Sequence, residues 1–158
     1  MDNIDLDFPT KNDAKEIHRL IKNSPPLDLN SLYAYAVIAE HFGKTSCIAT
    51  KDNRVVGFTS AYKVPAIEHR LFVWQVVVSE LARGQGVAKK MLKFIIEKNP
   101  DIMEIETTIN PSNKASFRLF ESFSTSLGGG LKEESLFLGE EAFEDAHEIE
   151  QKYIFSLG

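Results

Sequence analysis

The segment Arg83-Gly84-Gln85-Gly86-Val87-Ala88 places two glycines and an arginine between the apolar run Val76-Val77-Val78 and the amphipathic run Lys89 to Ile96. A strand that gives way to a helix here leaves the first amides of that helix without partners inside it. The aligned peptide dipoles put roughly half a positive charge at the same point. Glycines let a bulky anion reach those amides without meeting a Cβ, and the Arg83 guanidinium can add a charge-assisted contact. The chemistry on offer is capture of a phosphate or pyrophosphate. Glycine-rich strand-to-helix turns are also common as plain turns, and the pattern is neither a Walker loop nor Gly-x-Gly-x-x-Gly.

The elements that must hold this turn follow from apolar periodicity. Ile4 to Pro9 alternates as a short strand does. Ala14 to Ile21 has helical spacing, with Thr10 or Asn12 as cap and Pro25-Pro26 as a stop. A second helix is expected over Leu32 to Phe42, capped by Asp28 or Asn30 and stopped by Gly43. Ser46 to Thr50 and Arg54 to Val64 read as strands around the turn Lys51-Asp52-Asn53. Leu71 to Val78 is a nearly unbroken apolar run, expected as a strand buried on both faces. A helix over Val87 to Asn99, a strand over Ile102 to Ile109, a helix over Ser112 to Phe123 and a last strand over Gln151 to Leu157 complete the reading. The expectation is one mixed α/β (α+β) domain over residues 1–158.

Composition narrows the partners. The chain has 158 residues and a formal net charge of −5, which suits one globular domain with a real core and disfavours nucleic acid. No apolar run is long enough for a membrane span, and the acidic start Met1-Asp2-Asn3-Ile4-Asp5 lacks the order of a signal peptide, so the cytoplasm is the expected compartment. The single cysteine, Cys47, reads as an inert buried residue, and no convincing metal-binding spacing is present.

The order Arg-x-x-Gly-x-Ala after a strand valine resembles the acyl-coenzyme A pyrophosphate loop of the GNAT acetyltransferase superfamily. The run Asn110-Pro111-Ser112-Asn113-Lys114-Ala115-Ser116 resembles its second cofactor element, in which an asparagine opens a helix beside the pantetheine arm. Asn113 matches that asparagine, and can equally be a helix cap. The resemblance implies a GNAT fold, a central mixed sheet with a splayed strand pair and about four helices. It also implies acetyl-CoA as co-substrate, held by Val76, Val78, Arg83, Gly84, Gln85, Gly86, Val87, Ala88, Asn113 and Ser116. In the superfamily a backbone N–H of the strand before the loop meets the oxygen that turns negative during attack, which points to Val76–Val78, their side chains being core. One departure stands out: where the family often carries a tyrosine as general acid, this chain has Phe120.

More selective stretches resemble the L-2,4-diaminobutyrate acetyltransferase family of ectoine biosynthesis. They are Pro25 to Tyr35, Thr45 to Ala49, Phe72 to Val76, Glu106 to Ser116 and the tail His147 to Glu150. The resemblance implies acetyl transfer to the N4 amine of a small diamine, no metal, and a homodimer. For the chemistry, Glu106 is the first candidate for accepting the amine's proton, against a solvent-facing strand glutamate. Tyr33 or Tyr35 could replace the missing acid or line the pocket. Asp28 suits an ammonium or caps a helix. Trp74 borders an ammonium or packs in the core. Thr107, Thr108, His147 and Glu148 complete the implied substrate contacts. Another small amine as acceptor, or a non-catalytic acyl-CoA-binding module, are the alternatives.

Overall fold

In this computed structural model, described over residues 3–129, 132–138 and 149–157, the chain forms seven strands and four helices. They run β1 Asp5–Asp7, α1 Ala14–Lys22, α2 Leu32–Phe42, β2 Cys47–Lys51, β3 Arg54–Val64, β4 Ile67–Val78, α3 Val87–Lys98, β5 Glu104–Ile109, α4 Lys114–Ser126, β6 Lys132–Leu138 and β7 Glu150–Ser156. Two compact units emerge: Met1–Tyr62 with Trp74–Pro100, and Lys63–Val73 with Asp101–Gly158.

The first unit holds β1, β2, β3 and the end of β4 in that order, with β1–β2 and β2–β3 antiparallel. Asp52 (φ 51°) and Asn53 (φ 63°) turn the β2–β3 hairpin, in the left-handed region that Asn and Asp tolerate best among non-glycines. Helix α1 buries Ala14, Ile17, Leu20 and Ile21, one helical stripe, while Lys15, Glu16, Arg19 and Lys22 face water. That stripe packs with Tyr35, Ile38, Phe58 and Val77, and the Tyr35 and Phe58 rings meet edge to face at 6.2 Å. Each large apolar side chain so buried contributes about 1.5–3 kcal/mol.

The second unit orders the start of β4, then β5, β7 and β6. Strands β4 and β5 are parallel from Arg70↔Glu104 to Val73↔Thr107, and β5 pairs β7 antiparallel from Glu104↔Ser156 to Ile109↔Gln151. Leu71, Val73, Ile105, Phe120, Phe123 and Phe155 are buried.

The helix and strand positions follow the apolar periodicity closely. Strand β4 begins at Ile67, ahead of the apolar run at Leu71, and Asp13 rather than Thr10 or Asn12 is the N-cap of α1, Thr10 opening the 3₁₀ turn Lys11–Asp13 instead. Four further differences stand out. Helix α2 is capped by Ser31, whose Oγ accepts from Ala34 N–H at 3.1 Å, rather than by Asp28 or Asn30. Gly43 does not end α2 through a left-handed φ: it lies at φ −61° and begins a 3₁₀ turn. Glycine is required there because a Cβ would sit 2.9 Å from the Pro9 carbonyl oxygen. Strand β4 is buried on one face, not both. Leu71, Val73 and Val77 are buried, Trp74 is 49% exposed, and Val76 and Val78 are half-buried rather than core. Strand β6 had no clear signal, since Lys132-Glu133-Glu134-Ser135 opens it with polar residues.

Cys47 is fully buried, and burial, its largest influence, pushes the thiol from 9.0 to about 12, with the Asp7 charge adding to the rise and an Asp7 hydrogen bond opposing it. Between those values the unfolded chain has lost a proton that the folded chain keeps. Stability from this group is therefore full below pH 9 and falls as pH rises towards 12. Urea denaturation across pH 8 to 11 should show this decline in the wild type and a flatter profile in Cys47→Ala; parallel profiles would refute it.

Candidate active site

In the first unit the turn after β4 is built by local bonds. Ser79 N–H donates to Val56 C=O (2.8 Å), and Ser79 Oγ accepts from Leu81 N–H (3.3 Å). Buried Ala82 anchors the 3₁₀ turn Glu80–Ala82. The chain then passes through Gly84 (φ 79°) and Gly86 (φ 70°) into α3. A Cβ at either glycine would meet nothing within 4 Å, so the φ values demand glycine and the space in front of the turn is open. The α3 ladder includes Lys90 N–H to Gly86 C=O (3.0 Å), and Gly86 offers no capping side chain. The amides of Val87 and Ala88 thus have no acceptor within the helix. No acidic residue stands in the first turn, which holds Lys89 and Lys90. Gln85 and Ala88 are half-buried and Val87 is buried. Arg83 is exposed, 3.8 Å from Glu80 Oε1, a pair too open to tether it strongly. An open, uncapped, cationic helix start beside an exposed guanidinium fits a diphosphate.

The same unit carries the residues before and on α2. Asp28 is exposed, as is Tyr33 (76%), which leaves the Tyr33 phenol accessible to a ligand. Tyr35 is fully buried, its hydroxyl accepting from Asn30 N–H at 3.1 Å, so it packs rather than lining an open surface. The half-exposed Trp74 ring presents a face to solvent instead of filling the core.

In the second unit Glu106 is buried (7%), not solvent-facing. Its Oε1 accepts from Arg70 Nη1 at 3.1 Å, and Arg70 Nε donates to Glu104 Oε1 at 3.2 Å. His69 Nε2 lies 2.9 Å from the same Glu104 oxygen. Burial alone would lower the Arg70 pKa, but the bonds and charges of Glu104 and Glu106 together raise it above its ordinary value. Arg70 and Glu104 were missed by sequence reasoning. The available signal was the Glu104, Glu106 alternation on one strand, opposite a lone cation near the start of the preceding parallel strand. Thr107 is buried and its hydroxyl donates to Val73 C=O (3.1 Å), whereas Thr108 is half-buried. Asn113 caps α4, its Oδ1 accepting from Ser116 N–H at 3.1 Å, and Phe120 is buried (3%). His147 and Glu148 lie outside the described residues.

With this geometry in place, comparison with known proteins is decisive. The acetyltransferase (GNAT) family pattern matches residues 11–124. An L-2,4-diaminobutyric acid acetyltransferase of Methylotuvimicrobium alcaliphilum is 44% identical over 149 residues, covering 93% of this chain and 87% of that protein. The Vibrio cholerae enzyme of the same name is 41% identical over 154 residues, covering 94% and 87%. The chain belongs to the GNAT diaminobutyrate acetyltransferases.

A solved member of this family, diaminobutyrate acetyltransferase EctA from Paenibacillus lautus in complex with its substrate L-2,4-diaminobutyric acid and coenzyme A, superposes with a TM-score of 0.91. It is 34% identical, with 99% of this chain and 96% of that one covered. The mixed α/β architecture with four helices is thus the GNAT fold that the turn and the Asn113 element suggested. Within it, Arg70→Met should strand the Glu106 carboxylate in a nearly buried place and cost about 3 kcal/mol in urea denaturation. Arg70→Met with Glu106→Leu should recover most of that. A loss under about 0.5 kcal/mol in the single variant would mean the pair is not a buried one.

Proposed function

We infer that the protein transfers the acetyl group of acetyl-CoA to the N4 amine of L-2,4-diaminobutyrate, giving N4-acetyl-L-2,4-diaminobutyrate for ectoine formation by a separate cyclising enzyme. The observation that carries this reading is the fit, at 34% identity and a TM-score of 0.91, to a family member solved with that amino acid and coenzyme A. We read residues 1–158 as one acetyltransferase domain working as a cytoplasmic homodimer in osmoprotection. Among the described residues, no helix is long and apolar enough to cross a membrane.

The Val87 and Ala88 amides and Arg83 would hold the diphosphate, the glycines 84 and 86 setting the turn. Gln85, and the strand residues Val76 and Val78, border that position in the proposal, and Asn113 and Ser116 would lie along the pantetheine arm. Acetyl-CoA supplies the acetyl group as an activated thioester. An alkyl amine is mostly protonated at neutral pH, and freeing its lone pair at pH 7 costs about 4 kcal/mol for a pKa near 10. Glu106 accepts that proton, and Arg70 holds the carboxylate in place while it does so. Arg70 engages Oε1, and the second carboxylate oxygen, Oε2, is the acceptor in this scheme. Asp28 and the Trp74 face attract the substrate's ammonium groups. Phe120 has no proton to give, so the exposed Tyr33 phenol is the acid in this scheme. Thr108, Thr107, His147 and Glu148 are the further substrate contacts we propose.

Mass spectrometry of the product from acetyl-CoA and L-2,4-diaminobutyrate should show one acetyl group on N4. Equal turnover of lysine, ornithine and polyamines would refute the substrate assignment. Arg83→Ala should raise the acetyl-CoA KM about tenfold, as expected for one charge-assisted bond, with kcat little changed. Glu106→Gln should lower kcat by about 10²-fold or more with a smaller effect on KM; an unchanged kcat would exclude Glu106 as proton acceptor.

A further inference from the structure

The Gln75 side chain follows Trp74 on β4 and points at the segment preceding α2. Its Nε2 donates to the Asp28 carbonyl oxygen at 2.8 Å. Its Oε1 accepts from the Tyr35 hydroxyl at 3.3 Å, and that hydroxyl accepts in turn from Asn30 N–H at 3.1 Å. The Gln75 backbone is itself held, its N–H donating to Ser60 Oγ at 3.1 Å, and Ser60 is buried. Tyr35 is fully buried against Phe58 and cannot follow the segment if it moves. One carboxamide thus uses its donor on one residue of the loop and its acceptor on the group that holds another. Between these two anchors lies Leu29, 45% exposed, and the Asp28 side chain faces outward.

We propose that Gln75 is a positioning residue for substrate selection: with Tyr35 it forms a clasp that fixes the Asp28–Asn30 segment, and so presents the Asp28 carboxylate to the amino-acid substrate. This rests on the reading of Asp28 as an ammonium contact. The carboxamide is suited to the task because it carries a donor and an acceptor on separate atoms and no charge. A leucine would fill similar space and make neither bond. Fixing the loop before binding removes an ordering cost that would otherwise weaken substrate affinity. The effect should fall on the amino acid and not on acetyl-CoA.

The test compares wild type, Gln75→Leu, Tyr35→Phe and the double variant, each confirmed folded by circular dichroism. Hydrogen exchange of the Asn30 amide is expected to speed up at least about tenfold in every variant. The diaminobutyrate KM should rise about tenfold in each single variant with the acetyl-CoA KM within about twofold of wild type. The double variant should be little worse than either single, since the two side chains act as one clasp. Unchanged Asn30 exchange in Gln75→Leu would overturn the clasp. Faster exchange with an unchanged diaminobutyrate KM, or an equal rise in both KM values, would overturn its role in selection. If the wild type fails to acetylate diaminobutyrate at all, the substrate reading fails with the selection role, and the exchange rates alone decide whether the clasp exists.

Discussion

Between β4 and α3 the backbone twice enters the left-handed region, at Gly84 (φ 79°) and Gly86 (φ 70°). An L side chain there costs about 1–2 kcal/mol per residue. These two dihedrals start α3 abruptly, without a capping side chain, and the space beside both glycines is open. Two other helix starts are closed by side chains: Ser31 caps α2 and Asn113 caps α4. The surrounding fold keeps the uncapped start rigid. Ser79 is tied to β3 through Val56, Ala82 and Val87 are buried, and α3 sits on Met91, Leu92 and Ile95 in the core. A diphosphate meeting such preformed donors loses little to reorganisation of the protein.

The second constraint is a buried charge. Glu106 is placed in the sheet interior by its strand register, and a lone carboxylate there would be strongly disfavoured. Arg70 answers it from the neighbouring parallel strand while also serving Glu104. A guanidinium can bond two carboxylates at once because its donors are fixed in a plane. The carboxylate is held in one orientation, which is what a proton acceptor requires.

Much of this was legible in the residues. The apolar stripe of α1, the limits of α2 and the strand–turn–helix around Gly84 and Gly86 follow from periodicity and from glycine placement, which are local properties. The exposure of Trp74 and the one-sided burial of β4 were not, because Val76-Val77-Val78 reads the same whether one or both faces are covered. The side on which Glu106 points was likewise hidden until the pairing Phe72↔Glu106 fixed it. Ser31, not Asp28 or Asn30, caps α2 in a loop that Gln75 holds through the Asp28 carbonyl, a contact 47 positions apart in sequence that no local pattern contains. The burial of Cys47 agrees with the reading of a lone cysteine within Thr45 to Ala49 as an inert buried residue.

Calorimetric titration of coenzyme A into the wild type and into a folded Gly84→Ala, Gly86→Ala variant tests the turn most directly. Alanine draws the free turn away from its left-handed dihedrals, so the binding-competent form becomes a minor one and the apparent Kd should rise about tenfold or more. Equal affinity in the two proteins would contradict capture of the diphosphate at this helix start.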